Sequence, residues 1–147
     1  MVRISKAVEY ALAAVRHMYE HPGSLVSARD LVGTYQLPAG LVAKILQRLA
    51  AAGILASEQG VHGGYRLVRD PDTLSFLALT EAVDGPVRVA ACDTGGSGTC
   101  DRGDVCTVSE PVHRLSEQIV GLLEETKIGP LLRGETERQA HLAAGGS

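Results

Sequence analysis

Residues 38–68 read PAGLVAKILQRLAAAGILASEQGVHGGYRLV, and this stretch decides the fold. Its first half carries apolar residues spaced three and four apart, which predicts a helix that begins near Pro38 and buries one face. Gly53 ends that helix, and two short strand-like runs then flank a glycine-rich turn at residues 59–64, which predicts a β-hairpin. The apolar positions of the helix are Leu41, Val42, Ile45, Leu46 and Leu49.

Two predicted helices precede this stretch. The first runs from its N-cap Ser5 to about Tyr19 and stops before Pro22. The second is short, begins after the cap Ser27 and ends at Gly33. Three helices with a short middle one, followed by a hairpin, predict a mostly α fold with a small β-hairpin wing, a winged helix-turn-helix over residues 1–70.

The polar side of the third helix and the wing predict a surface for double-stranded DNA. In this fold the third helix enters the major groove, and glycines let the wing backbone approach phosphate. Residues 1–69 carry a net charge of +4 and residues 70–147 one of −7, which favours a polyanion partner for the first part only. The alternative is a small helical domain whose hairpin is only structural. The candidate DNA-binding residues are Ser27, Ala39, Gly40, Lys44, Gln47, Arg48, Gln59, His62 and Arg66.

The remaining chain divides into a connecting helix at 71–91, a cysteine-rich loop at 92–106, a dimerisation helix at 107–133 and a flexible tail at 134–147. The strong part of the last helix begins at Ser109 and carries a long apolar stripe. Such a stripe packs on its own domain or pairs with a second copy, and a homodimer is favoured because dimers bind two-fold DNA sites. The stripe is Val112, Leu115, Ile119, Leu122 and Leu123.

All three cysteines, Cys92, Cys100 and Cys106, lie within a glycine- and aspartate-rich loop. Zinc is disfavoured because no two of them have the two-residue spacing typical of structural zinc sites. A disulfide would leave one thiol over, and incidental free cysteines are usually buried rather than placed among polar residues. Thiolates hold iron–sulfur clusters, which a glycine-rich loop can surround, so a cluster is the favoured interpretation.

Composition excludes several classes of protein. Hydrophobic residues make up 45% of the 147 and charged residues 21%, which is not the composition of a disordered chain. No apolar run approaches the roughly 20 residues of a membrane helix, and the first residues lead straight into an amphipathic pattern, so a cytoplasmic location is expected. The chain has one phenylalanine and no tryptophan, which predicts an aliphatic core.

The sequence resembles the winged-helix iron–sulfur transcription regulators (Rrf-type) that include IscR, NsrR and RirA, from about Val2 to about Leu132. The resemblance implies a homodimer with crossing C-terminal helices and a cluster, 2Fe–2S or 4Fe–4S, held in each subunit by the three cysteines and a fourth ligand. The matching segments are residues 4–12, 46–55, 60–65 and 79–85, together with the cysteines.

The resemblance leaves the fourth ligand open. IscR-like members place a histidine three residues after the last cysteine, where this chain has Ser109. NsrR-like members use a first-helix carboxylate donated across the dimer, and Glu9 stands at the matching position, so Glu9 from the partner subunit ranks first. His113 is the alternative, a small molecule or water is another, and His17 is more remote along the first helix.

Two positions also depart from the IscR pattern of DNA contacts. Ala43 replaces a recognition-helix glutamate and Gln59 replaces a wing arginine, so the operator of IscR is not expected here.

The predicted function is a DNA-binding transcription regulator, a repressor, whose affinity for a two-fold operator is controlled by a labile cluster sensing iron, nitric oxide or redox state. One alternative is a cluster-free regulator that acts through thiol oxidation or a partner protein. An enzyme is not predicted: Cys106 and His113 could form a nucleophile pair, but no oxyanion or substrate-pocket motif accompanies them.

Overall fold

The computed structural model describes residues 3–90 and 106–135. Within these ranges the fold is mostly helical with one antiparallel hairpin, which confirms the predicted fold class. The elements in chain order are α1 (Lys6–Glu20), α2 (Ala28–Tyr35), α3 (Ala39–Ala51), β1 (Leu55–Glu58), β2 (Gly64–Leu67), α4 (Phe76–Asp84), α5 (Ser109–Glu125) and α6 (Ile128–Leu132).

Serine side chains set the starts of three helices. The hydroxyl oxygen of Ser5 accepts a hydrogen bond from the Val8 amide at the start of α1, and Ser75 does the same at the start of α4. Ser27 begins α2 with a full capping box, because its hydroxyl accepts from the Asp30 amide while the Asp30 carboxylate accepts from the Ser27 amide. These bonds satisfy amides that have no partner inside the helix.

Helix α2 is longer than predicted. It continues past Gly33 to Tyr35 and ends at Gln36, which has the left-handed φ of 53°. A glycine inside a helix costs about 1 kcal/mol relative to alanine but does not stop it. The prediction that Gly33 ends the helix was therefore wrong, because Gln36 provides the left-handed terminus.

The core is aliphatic, as predicted, and lies where α1, α3 and α4 pack together. The single phenylalanine, Phe76, is buried at its edge. The side chains most deeply buried are Val8, Val15, Leu31, Ile45, Leu46, Leu49, Ile54, Leu74, Leu79 and Ile128.

The hairpin pairs Leu55 with Leu67 and Glu58 with Gly64, and it is fixed to the helices by a bridge between Val26 and Tyr65. Gly64 allows this approach, because a Cβ there would lie 2.9 Å from the Val26 carbonyl oxygen. The glycines of the wing thus have a packing role in addition to the one predicted from the sequence.

The C-terminal span predicted as one helix over 107–133 is divided. Helix α5 ends at Glu125, and Lys127 then forms a bridge with Ser75 at the start of α4. The break lets Ile128 reach the core, where it is fully buried.

Arg133 follows the last residue of α6 and holds this end of the chain against the rest of the fold. Its guanidinium donates to Tyr19 Oη at 3.1 Å and to Asp72 Oδ1 at 2.8 Å. Side-chain hydrogen bonds to Glu135, Tyr19 and Asp72 raise the pKa of Arg133, which stays charged.

Candidate nucleic-acid interface and cysteine segment

The structure places the α3 candidates on one side of the helix. Lys44, Gln47 and Arg48 are exposed, and Ala39 and Gly40 are exposed at its N-terminal end. The opposite side is buried against the core through Val42, Ile45, Leu46 and Leu49. This is the arrangement that lets a third helix enter a major groove with its polar face outward.

Ser27 lies at the N-terminal end of α2, where amides point out of the helix. Its hydroxyl oxygen accepts from the Asp30 amide at 3.1 Å, and its amide donates to the Asp30 carboxylate. A helix N-terminus with a hydroxyl is a suitable contact for a DNA phosphate. The contact of Ser27 with DNA stays a prediction, since its polar groups already serve the capping box.

The wing carries the other three candidates. Gln59 and His62 are exposed in the turn, and Arg66 forms an ion pair with Glu58 on the neighbouring strand at 3.6 Å. Sequence reasoning missed Val61, whose side chain is 98% exposed at the tip of this turn. The sequence feature that could have pointed to Val61 is an apolar residue inside an otherwise polar, glycine-rich turn.

Arg48 makes a contact that no local pattern could predict. Its Nη1 donates to the Val83 carbonyl oxygen in the last turn of α4 at 2.7 Å, although the two residues are 35 positions apart. The next residue, Asp84, accepts a hydrogen bond from the Ser5 hydroxyl at 2.6 Å. The last turn of α4 thus contacts α3 on one side and the start of α1 on the other; we call it the α4 junction (Val83 and Asp84).

A cavity of about 190 Å³ lies beside the α4 junction. The start of α1, helix α4, helix α5 and residues 87–89 line it, and its polar groups are Arg3, Ser5, Thr80, Asp84 and Arg88. Residues 85–90 follow α4, and residue 90 is the last described residue before the cysteine-rich segment.

Of the proposed ligands, Cys92 and Cys100 lie outside the described residues. Cys106 is half-buried with a free thiol three residues before α5. Glu9 is exposed in the first turn of α1 and accepts a hydrogen bond from Lys6 Nζ at 2.7 Å, which raises the pKa of Lys6. His113 is exposed in α5.

Within residues 3–90 and 106–135, no three histidine, cysteine or acidic side chains come together to hold a metal ion. The donor set nevertheless suits an iron–sulfur cluster, since thiolates are the ligands that such clusters prefer. Cys106 is half-buried rather than part of the hydrophobic core.

Helix α5 has an apolar side that its own subunit does not cover. Val108, Leu115 and Leu122, seven residues apart, are 56%, 54% and 63% exposed. Its other side packs inward, where Ser116 is buried and Leu123 contacts the core. A seven-residue spacing of exposed apolar residues is typical of a helix that pairs with another helix. We call this surface the α5 stripe (Val108, Leu115 and Leu122).

In the part of the chain that the structure describes, no helix has both the length and the apolar character needed to span a membrane.

Comparisons with known proteins agree with this architecture. The transcriptional regulator IscR of Photobacterium profundum is 29% identical over 133 residues, which cover 90% of this chain and 76% of that protein. The regulator NsrR of Halalkalibacterium halodurans is 22% identical over 96% of this chain and 97% of its own length. The structure of CymR, the global cysteine regulator of B. subtilis, shares the fold with a TM-score of 0.66 and 22% identity, covering 90% of this chain and 98% of that one.

The family model Rrf2, described as an iron-dependent transcriptional regulator, matches residues 4–134. The match includes the winged helix-turn-helix, the α4 junction and the α5 stripe, which is nearly all of the described fold. The chain therefore belongs to the Rrf2 family and is a DNA-binding transcription regulator.

Proposed function

We propose that this regulator is a homodimeric repressor whose affinity for a two-fold operator is controlled by an iron–sulfur cluster held by Cys92, Cys100 and Cys106. The observation that carries the proposal is the α4 junction. Its residues bond both to Arg48 on α3 and to Ser5 at the start of α1, and the chain leading to the cysteines leaves from it. The iron-dependent description of the family supports the same interpretation.

The ligand set proposed is three thiolates and the partner subunit's Glu9. When bound, the cluster supplies iron–ligand bonds that iron shortage, nitric oxide or oxidants break. The three cysteines would then hold residues 92–106 in one arrangement between α4 and α5. Because Val83 and Asp84 contact the reading helix and α1, that arrangement would set the orientation of α3.

The proposed dimer forms through the α5 stripe. Pairing two copies buries three large apolar side chains per subunit that are otherwise more than half exposed. A two-fold dimer would present two α3 helices to half-sites about 34 Å apart, one turn of DNA. Such a regulator works on chromosomal DNA, so we place it in the cytoplasm.

The main test is the iron and sulfide content of anaerobically purified protein, with its visible absorbance. We expect both elements and a brown colour, and a change in operator affinity when nitric oxide or a chelator removes the cluster. The operator is first selected from random DNA. The variant Cys92→Ala, Cys100→Ala, Cys106→Ala should be colourless with an affinity that no longer responds. Ser97→Ala, in the same segment, is the matched control.

The proposed cluster is contradicted if the purified protein contains neither iron nor sulfide and its affinity for the operator is the same at every iron concentration. The Rrf2 fold would then favour the cluster-free alternative, in which the thiols are oxidised or a partner protein acts. The likeness to CymR gives this alternative its support, since a structure of Staphylococcus aureus CymR is described as an oxidized form.

Glu9 as a ligand has its own test. Glu9→Gln removes the charged oxygen donor and should speed the loss of the visible absorbance in air. Lys6→Gln is the control, because it breaks the Lys6–Glu9 ion pair but keeps the carboxylate. If His113→Gln destabilises the cluster and Glu9→Gln does not, His113 is the ligand instead.

A further inference from the structure

A second group of polar rings lies at the carboxyl end of α1. His17 is in the last turn of the helix and His21 is its C-cap, four residues later, so both side chains lie on one face. Their ring centroids are 4.4 Å apart, and the ring planes differ by 26°. The proposed DNA contacts and cluster ligands use neither ring.

The hydrogen bonds of the two rings define which nitrogen is available. His21 Nδ1 lies 2.8 Å from the His17 carbonyl oxygen, which only accepts, so Nδ1 carries the proton and the lone pair is on Nε2. His17 Nδ1 lies 2.9 Å from the Tyr35 hydroxyl, and when Nδ1 donates to that oxygen the Nε2 lone pair is available to a metal ion. Metal-binding histidines have this arrangement, with the second nitrogen fixed by a carbonyl or another oxygen.

The electrostatic surroundings favour a cation. The carboxyl end of a helix carries a partial negative charge, and both rings lie there. The Asp30 carboxylate is close enough to His17 that the histidine contributes to lowering the pKa of Asp30, after the larger effect of the hydrogen bonds from Ser27. The helix end and the carboxylate both favour a bound cation, and the Arg29 guanidinium, which also lowers the pKa of Asp30, offsets part of that effect.

We propose that His17 and His21 bind one late first-row divalent transition-metal ion, such as Ni²⁺, Cu²⁺ or Zn²⁺, through their Nε2 atoms. Imidazole nitrogens suit these ions, and two histidines four residues apart on a helix are a known ligand spacing. An ion lies in the plane of each imidazole that binds it, so the two rings, stacked in the unbound chain, must turn until their Nε2 lone pairs converge on the ion. Water completes the coordination, and Tyr35 fixes the His17 ring.

The test is calorimetric titration of Ni²⁺ into the full chain at about pH 7.5, where histidine is neutral. The cysteines are changed to serine in this parent protein so that thiols do not compete. We expect one ion per chain, and an affinity more than about tenfold lower in His17→Gln and in His21→Gln. Tyr35→Phe, which removes the oxygen that fixes His17, should lower the affinity by up to about tenfold.

The matched control is His62→Gln, which removes an exposed histidine from the wing and should leave binding unchanged. Binding that survives both His17→Gln and His21→Gln, or that is lost in His62→Gln alone, would overturn the proposal. Circular dichroism checks the helix content of each variant. On the unmodified chain, selective broadening of the His17 and His21 ring signals by Ni²⁺ in NMR spectra is the second measurement, and broadening confined to other histidines counts against the site.

Discussion

Arg48 lies on the exposed side of α3 and also holds the last turn of α4. The 3.6-residue period of the apolar positions was enough to predict that Arg48 faces outward. Its bond to the Val83 carbonyl could not be predicted, because it joins residues 35 positions apart and depends on how α3 and α4 pack. A residue predicted to contact DNA is therefore also part of the α4 junction.

Arg48→Gln should lower the free energy of unfolding by about 1 kcal/mol, because the Val83 carbonyl loses a charged donor in a partly exposed place. Urea denaturation measures this. Lys44→Gln, on the same exposed side, is the control and should leave stability nearly unchanged. Equal stability of the two variants would show that the Arg48–Val83 bond contributes nothing.

Asp30 predicts a dependence of stability on pH. Its backbone and side-chain hydrogen bonds with Ser27 hold the pKa of Asp30 below its ordinary value of 3.8. A carboxyl whose pKa is lower when folded stabilises the protein above its unfolded pKa, and that contribution is lost as pH falls through the folded pKa. The stability difference between wild type and Asp30→Asn should thus shrink below about pH 4.

Urea denaturation at a series of pH values follows this difference. Glu81→Gln, an exposed carboxylate of α4, is the comparison at each pH. A difference between wild type and Asp30→Asn that stays constant from neutral to acid pH would contradict the role assigned to the capping box.

At the scale of elements, the sequence predicted the start of α5 but neither its end nor which of its apolar residues face outward. Of the predicted stripe, Leu115 and Leu122 are exposed, whereas Leu123 packs on the core. The spacing of Leu115, Ile119 and Leu122 is local and visible in the sequence. The end at Glu125 depends on Lys127 bridging to Ser75 and on Ile128 entering the core, which are contacts across some 50 residues of chain. Such tertiary contacts override helical periodicity.

The α5 stripe predicts the effect of charges placed in it. Leu115→Glu and Leu122→Glu should each raise the dissociation constant of the proposed dimer at least about tenfold, since each substitution removes from both subunits a leucine that the dimer would bury. Sedimentation velocity measures the dimer fraction, and circular dichroism checks folding. Glu124→Gln, exposed on the same helix, should leave the dimer intact. A folded variant that dimerises like wild type would place the interface elsewhere.

Opposite effects are expected for two glycines, Gly64 in the wing and Gly33 in α2. Gly64→Ala should destabilise the fold by about 1–3 kcal/mol, because the added methyl group meets the Val26 backbone. Gly33→Ala should stabilise it by about 0.5–1 kcal/mol, because the space around Gly33 is open and alanine favours helix. Urea denaturation measures the free energy of unfolding of both variants. If Gly64→Ala leaves it unchanged, the contact between the wing and Val26 contributes little to stability.

At the scale of the molecule, the division of charge places the basic part of the chain in the DNA-reading domain. The fold class and the exposed side of α3 could be predicted, because each depends on local spacing. The DNA contacts of α3 and the role of the cysteine-rich segment stay predictions. The α4 junction and the histidine pair beside Tyr35 could not, because each brings together residues from different helices.

The positive charge of the reading domain predicts the salt dependence of DNA binding. Lys44→Gln should reduce the slope of log affinity against log salt by about one, because one phosphate contact is lost. Fluorescence anisotropy with the selected operator measures the slope. Lys127→Gln, a lysine remote from the wing and α3 in sequence, should not change it. If the two variants give the same slope, Lys44 does not contact phosphate.

The bridge between Ser75 and Lys127, with Ile128 in the core, fastens the carboxyl end of α5 to the start of α4. Ser116 is buried in the middle of the helix, so a reorientation of α5 would turn about its carboxyl half and move the end that follows Cys106 farthest. A change in the proposed cluster would therefore act on the end of α5 that is held least, and the core could keep its packing while that end moves.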